Sequence, residues 1–333
     1  MKFLELTDLQ KAKVYEQTAL RLGIDDPRAV EKDLWVTAVL QMVFSLPYAD
    51  KFVFKGGSSL SKVWKLIHRF SEDIDLAIDR ELFGIRGNLT KKQLKKLRKA
   101  SSIFVRDTLV TDLQNIFTDN GLSRFCEVIP QPDGTNDDTY PEPRKIHITY
   151  PSVYQSDDSY LQPEVLLEVG ARSLFEPTTE ATVTSLIAEN TELNTDVAET
   201  TIKCAVPQKT FLEKAFLLHE LFSTERCKTA NRLSRHLYDI DRLMQVPEIL
   251  SAIHDDKLWE EIRHHREIFT SIHGVDYTPD IRRRINLIPP DSVEKEWRDD
   301  YAAMQTSMIC GESVTYDTMI SRIRHLQDLF RNA

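Results

Sequence analysis

The stretch from Phe52 to Ile78 constrains this chain more tightly than any other part of it. Phe52-Val53-Phe54 is a short apolar run that predicts a strand, Gly56-Gly57 breaks it, and Ser58 to Ile67 resumes a helical spacing with Leu60, Val63, Trp64 and Ile67 on one side. A second strand is predicted at Asp73 to Ile78, where the period of two places Asp73, Asp75 and Ala77 on one face and Ile74, Leu76 and Ile78 on the other. Burying the apolar face leaves two carboxylates projecting side by side from a rigid strand. That pair suits a hard cation such as Mg²⁺, which takes oxygen ligands and bridges protein carboxylates to phosphates. By itself, D-x-D also fits an exposed edge strand carrying two solvated aspartates.

The glycine pair shifts the balance. Glycines let backbone amides approach a ligand closely, and Ser58 opens a helix whose N-terminus favours anions, so Gly56, Gly57 and Ser58 are expected to cradle phosphate just before the metal ligands. No G-x-x-x-x-G-K-[ST] pattern occurs there, so the segment is not a P-loop. A third carboxylate is expected from Pro163-Glu164-Val165-Leu166-Leu167-Glu168-Val169, a strand that puts Glu164, Leu166 and Glu168 on one face. Glu168 lies deep in the apolar run, where a carboxylate persists when paired or bound to metal; it can act as a third ligand or general base.

Around this block the first fifty residues predict two helices, roughly Asp8 to Leu22 and Arg28 to Ser45. A basic helix, a longer one near Ser102 to Asp119, a loop at Gln131 to Pro143 and strands at Lys145 to Tyr150 and Glu164 to Val169 follow. From Pro207 onward only helices are predicted: Thr210 to Phe222, Thr229 to Met244, Lys257 to Phe269 and Tyr316 to Arg331. The expected fold class is α+β, a small mixed sheet flanked by helices over 1–205 and a helical domain over 206–333.

The 333 residues, 41% hydrophobic and 29% charged, have the make-up of a globular protein. The start lacks the apolar run of a signal peptide, and no stretch approaches about 18 unbroken apolar residues, so the expectation is a cytoplasmic protein with no membrane partner. Cys126, Cys204, Cys227 and Cys310 form no C-x-x-C pair, which suggests neither a zinc site nor a disulfide framework. A net charge of −9 argues against binding nucleic acid through the overall field. Locally, Lys91-Lys92-Gln93-Leu94-Lys95-Lys96-Leu97-Arg98-Lys99 gathers six cations, with Leu94 and Leu97 facing inward. That helix reads either as a solvated face or as a nucleic-acid contact.

Strand, G-S turn, helix, D-x-D strand and later acidic strand make up the pattern of the polymerase-β-like nucleotidyltransferase superfamily, which this sequence resembles. Phe54-Lys55-Gly56-Gly57-Ser58-Ser59-Leu60-Ser61-Lys62 followed by Arg69-Phe70-Ser71-Glu72-Asp73-Ile74-Asp75 is similar to the first motif of the AbiEii/AbiGii toxin family. Phe211-Leu212-Glu213-Lys214-Ala215 resembles that family's helix bearing an active-site lysine, and Arg235-His236-Leu237-Tyr238-Asp239-Ile240 its R-[DH]-x-x-D helix. Glu31-Lys32-Asp33-Leu34-Trp35-Val36 and Asp300-Tyr301 also fit, so the resemblance spans nearly the whole chain. One departure is Glu168, where many relatives carry Asp.

The resemblance implies an Mg²⁺-dependent nucleotidyltransferase that moves a nucleoside monophosphate from an NTP to an acceptor and releases pyrophosphate. Asp73, Asp75 and Glu168 would hold two Mg²⁺, and Gly56, Gly57 and Ser58 would grip phosphates. Lys214 would pair with triphosphate oxygens as a compact point charge, and Arg235 would bind nucleotide. Asp239, one turn from Arg235, would orient Lys214 or a substrate hydroxyl; His236 reads as a packed neighbour. The resemblance further implies the toxin of a bacterial toxin–antitoxin or phage-defence module, restrained by a cognate antitoxin, with an RNA such as tRNA as acceptor. The Lys91 to Lys99 helix and Arg282-Arg283-Arg284 favour RNA, whereas the acidic total does not. A protein side chain as acceptor, or a regulatory nucleotide-binding module without turnover, are the alternatives; intact Asp73, Asp75 and Lys214 speak against the latter.

Overall fold

The computed structural model describes residues 3–69, 73–87, 89–134, 139–154, 161–191, 197 and 199–333. Phe70, Ser71 and Glu72 of the first motif, and part of the 131–143 loop, lie outside the described residues. The chain packs as two compact units, Met1–Val63 with Phe70–Ala205, and Trp64–Arg69 with Val206–Ala333.

The first unit contains strands β1 (Phe52–Lys55), β2 (Asp73–Ile78), β3 (Glu127–Pro130), β4 (Arg144–Thr149), β5 (Glu164–Gly170), β6 (Thr178–Val183) and β7 (Thr200–Ala205). They form one sheet in the order β3-β4-β5-β2-β1-β7-β6. β2 runs parallel to β5 and β1 parallel to β7, while the other pairings are antiparallel. The sheet is therefore mixed. Its helices are α1 (Asp8–Leu22), α2 (Arg28–Phe44), α3 (Gly56–Lys62), α4 (Lys91–Phe104), α5 (Val110–Asp119) and α6 (Leu186–Asn190).

α1 starts at a capping box in which the Thr7 hydroxyl accepts the Gln10 amide and Gln10 reaches back to Thr7. It ends at Gly23 in the left-handed conformation. α2 is buried nearly all round, with its charged residues gathered in its first two turns, and its Trp35 stacks on Tyr150 with ring centroids 5.0 Å apart. α4 and α5 run into one another through a π-turn at Val105–Leu109.

Three strands depart from expectation. β3 and β6 are edge strands with little buried surface, so their alternation is weak, and β7 has only Ile202, Cys204 and Ala205 as apolar residues beside two threonines and a lysine, too few to mark a strand. α3 also differs, beginning at Gly56 rather than Ser58 and ending at Lys62 rather than Ile67, because Lys65 has φ of 52°.

The second unit contains α7 (Pro207–Phe222), α8 (Ser234–Leu243), α9 (Pro247–Leu250), α10 (Asp256–Phe269), α11 (Glu294–Ser307) and α12 (Tyr316–Asn332). α8 opens five residues later than the periodicity predicts; Arg232, at φ of 59°, interrupts the helical run. Phe216 packs on Trp259 at 4.4 Å between centroids, Phe211 on Phe330 at 5.8 Å, and Trp297 is fully buried with its indole N–H given to the Cys227 carbonyl. Trp64–Arg69 joins this unit through an antiparallel bridge from Arg69 to Ile309 and a Cys310 amide to His68 carbonyl bond of 2.8 Å.

Candidate active site

Strand register arranges four charges in a row across the sheet. Lys145 faces Glu168, Glu168 faces Asp75, and Asp75 faces Lys55, on β4, β5, β2 and β1. Asp73 sits one step along, opposite Leu166. Both aspartates are partly exposed while Ile74 and Leu76 between and beside them are buried, as the alternation requires. Further along the same face, Ala77, Val53 and Ala205 pack together under Phe175 and close it off.

Lys145 was not foreseen. Its Nζ lies 2.9 Å from Glu168 Oε1, and that hydrogen bond raises the ammonium pKa, with the charges of Glu168, Asp73 and Asp75 adding to it. Lys145 lies in a strand that the sequence predicts, but its place opposite Glu168 follows from the pairing of β4 with β5, which is tertiary. Among the described residues no three His, Cys, Asp or Glu side chains are gathered as a ready metal-holding group. The donor set of Asp73, Asp75 and Glu168 still fits a hard cation in kind, being carboxylate oxygens on one partly exposed face.

Gly56 is required here on two counts. Its φ is +77°, and a β-carbon would overlap the Asp75 Oδ2. Ser58 is buried, and its hydroxyl donates to the Asp73 carbonyl, which ties the start of α3 to the start of β2. The structure thus gives Ser58 a positioning bond beside the aspartates. Gly57 is the second residue of α3. Lys62 pairs with Asp33, whose second oxygen accepts the Leu186 amide at 2.7 Å, and Glu31 accepts the Ser152 hydroxyl and the Val153 amide. The early Glu31-Lys32-Asp33 motif therefore braces the unit.

A cavity of about 170 Å³ lies along the charged row, lined by Lys55, Asp75, Glu142, Glu168, Arg172 and Ser173 among others. Burial pushes the Glu142 carboxyl up to about 7, against the opposing pull of the Ala171 amide and the Arg172 charge.

In the second unit, α7 and α8 bring Lys214 and Asp239 together. Lys214 Nζ is 2.7 Å from Asp239 Oδ2, and Arg69 donates to the same carboxylate from Nε and Nη2 at 2.6 and 2.7 Å. All three side chains are nearly or fully buried. Burial would raise the Asp239 pKa, but Arg69 and Lys214 override it and hold the carboxyl well below the usual range. Burial lowers the Lys214 ammonium pKa; Asp239 opposes this, and Arg69 and Arg235 add to the lowering. Burial likewise holds His236 well below its ordinary value, so it is a neutral, packed imidazole. Asp300 accepts the Arg232 and Ser234 amides at 2.6 and 2.8 Å, capping the helix that carries Arg235 and Asp239.

The family described as "Nucleotidyl transferase AbiEii toxin, Type IV TA system" matches residues 39–326, which includes the charged row and the Lys214–Asp239 pair. The chain belongs to the AbiEii toxin family. Among solved structures it is similar to MenT4, the nucleotidyltransferase toxin Rv2826c from Mycobacterium tuberculosis H37Rv, at a TM-score of 0.54 and 15% identity over 96% of this chain and 90% of that one. No curated protein sequence matches it.

This AbiEii family member is thus a nucleotidyltransferase toxin of a type IV toxin–antitoxin system, a membership that implies an NTP substrate and a cognate antitoxin. Among its described residues no helix is long and apolar enough to cross a membrane. The arginine run expected to favour RNA is largely engaged: Arg282 pairs with Asp256 at 2.7 Å, and Arg284 with Asp276 and Asp280 at 3.2 and 3.0 Å. Arg69 is the residue of the buried triad that motif reading left without a role, although it opens the quoted Arg69-Phe70-Ser71 stretch.

Proposed function

We propose that this AbiEii toxin transfers a nucleoside monophosphate from an NTP to an RNA acceptor such as tRNA, in the cytoplasm, with Mg²⁺. The observation that carries the reading is the registered row Lys145, Glu168, Asp75, Lys55 with Asp73 beside it. Asp73 and Asp75 would hold the metal, two ions in the full site, with Glu168 completing the ligand set. Mg²⁺ bound there supplies charge neutralisation and polarises the transferred phosphoryl group.

The acceptor hydroxyl oxygen attacks the α-phosphorus, the bond to the bridging oxygen of the β-phosphate breaks, and pyrophosphate leaves. The hydroxyl proton passes to the Glu168 carboxylate and then to water. Gly56 and Gly57 let the phosphates approach the backbone, and Ser58 holds Asp73 through its carbonyl. Lys214 and Arg235 are assigned to the triphosphate, where the Lys214 ammonium, positioned by the carboxylate it shares with Arg69, would neutralise charge developing on the transferred group. Asp239 is assigned to orienting Lys214.

The test is incubation with each labelled NTP, Mg²⁺ and total RNA, resolved on a gel. Label in an RNA band is the expected result. Label in protein alone would replace RNA with a protein side chain, and label nowhere would reduce the chain to a nucleotide-binding regulator.

A further inference from the structure

We propose that α4 (Lys91–Phe104) is the surface on which the acceptor RNA docks, through its phosphates. This rests on the reading that the acceptor is RNA. Lys91, Lys92, Lys95, Lys96 and Lys99 are all exposed, whereas Leu97, Ser101 and Ser102 are buried against the body of the unit. Lys91, Lys92, Lys95 and Lys96 form no ion pair with any described residue, unlike Arg106, Arg282, Arg284 and Arg298, each of which faces carboxylates.

The placement opposes folding in two ways. Lys91–Lys95, Lys92–Lys96 and Lys95–Lys99 are like charges one turn apart, which destabilise a helix. Lys91 and Lys92 also occupy the first turn, with no acidic residue there, so their charge adds to the positive end of the helix dipole. A face kept only for solubility carries mixed signs and avoids both costs. A polyanion removes both at once.

The chemistry of the face selects nucleic acid over an acidic protein. Protein interfaces are built on apolar, aromatic and arginine anchors and are depleted in lysine, whereas phosphate backbones are bound by flexible cations without such anchors. From Lys91 to Lys99 the helix rises about 12 Å, long enough to meet several phosphates of a nucleic-acid strand, which in a duplex are spaced about 3.4 Å apart along the axis.

The far end of this face leads to the charged row. Arg98 donates to the Tyr140 carbonyl at 2.6 Å, and Lys99 Nζ lies 5.1 Å from the centre of the Tyr140 ring. Two residues on, Glu142 lines the cavity that Asp75 and Glu168 share. Phosphates seated on α4 would thus bring a strand toward that cavity.

The experiment measures binding of a fluorescent single-stranded oligouridylate to the full chain over a range of salt, for the parent and for the triple variant Lys92→Gln, Lys95→Gln, Lys96→Gln, which spares the Lys99 contact with Tyr140. Loss of three phosphate contacts should reduce the slope of log affinity against log salt by about 2. The variant should melt at a higher temperature than the parent, since the like-charge pairs are gone. An unchanged slope, a lowered melting temperature, or displacement of the RNA by polyglutamate as effectively as by polyuridylate would each overturn the proposal. Because the slope reports binding and the labelled-NTP gel reports transfer, failure of α4 as the docking surface and failure of RNA as the acceptor are separate results.

Discussion

Gly56 lies so close to Asp75 that any β-carbon on it would occupy the space of the aspartate Oδ2. Gly56→Ala therefore meets two obstacles, a left-handed backbone that costs about 1–3 kcal/mol for other residues and displacement of the carboxylate. Transfer should be abolished and the melting temperature lowered; parent-level transfer by this variant would refute the close approach.

Asp73→Asn and Asp75→Asn remove charge from a row in which Asp75 already faces Glu168. Each should abolish transfer. The melting temperature in EDTA should stay level or rise slightly, because like-charge repulsion is relieved. A large drop in calorimetry would mean that the aspartates serve the fold.

Lys145→Gln frees Glu168 from its ion pair. Without the cation, three carboxylates share a face, so the thermal midpoint in EDTA should fall and the gain on adding Mg²⁺ should exceed that of the parent. The pH dependence follows from the raised Lys145 pKa: its stabilisation is fully present below the ordinary lysine value and is lost as pH rises through the higher folded value. The parent should therefore lose stability at alkaline pH more steeply than the variant.

Asp239→Asn leaves Arg69 and Lys214 buried as cations without their shared carboxylate. A loss of about 3–5 kcal/mol is expected in denaturant melts. Arg69→Lys should rescue poorly, since an ammonium cannot reproduce the two parallel bonds at 2.6 and 2.7 Å. As the folded Asp239 pKa is depressed, its stabilisation is present above the ordinary carboxylate range and is lost as pH falls through the much lower folded value. The triad should outlast mild acid.

Glu142 works in the opposite direction. Its carboxyl is raised from 4.5 to about 7, so its favourable contribution is complete below pH 4.5 and is lost as pH rises through 7. Glu142→Gln should flatten the stability profile across that window in a series of thermal melts; an unaltered profile would show that the group titrates normally.

Local pattern alone was enough to locate β2, α1 and the start of α12, because alternation and helical spacing there coincide with what is buried. It also marked Asp73, Asp75 and Glu168, since apolar neighbours on a strand point such side chains one way, whereas Lys214 and Asp239 stood out only through the family resemblance. Where periodicity was weak it failed: β6 buries almost nothing, and the turn residues Lys65 and Arg232 adopt a left-handed backbone that no composition rule demands of them.

Only the tertiary structure could supply the partners. That Lys145 reaches Glu168 depends on β4 lying beside β5, and that Arg69 shares Asp239 with Lys214 depends on a segment before β2 joining the helical unit. Side-chain type and local direction are encoded by period and neighbours along the chain, but ion pairs join residues far apart in sequence. Which charge meets which is decided by strand order and helix packing, through the burial that makes an unpaired charge too costly to keep.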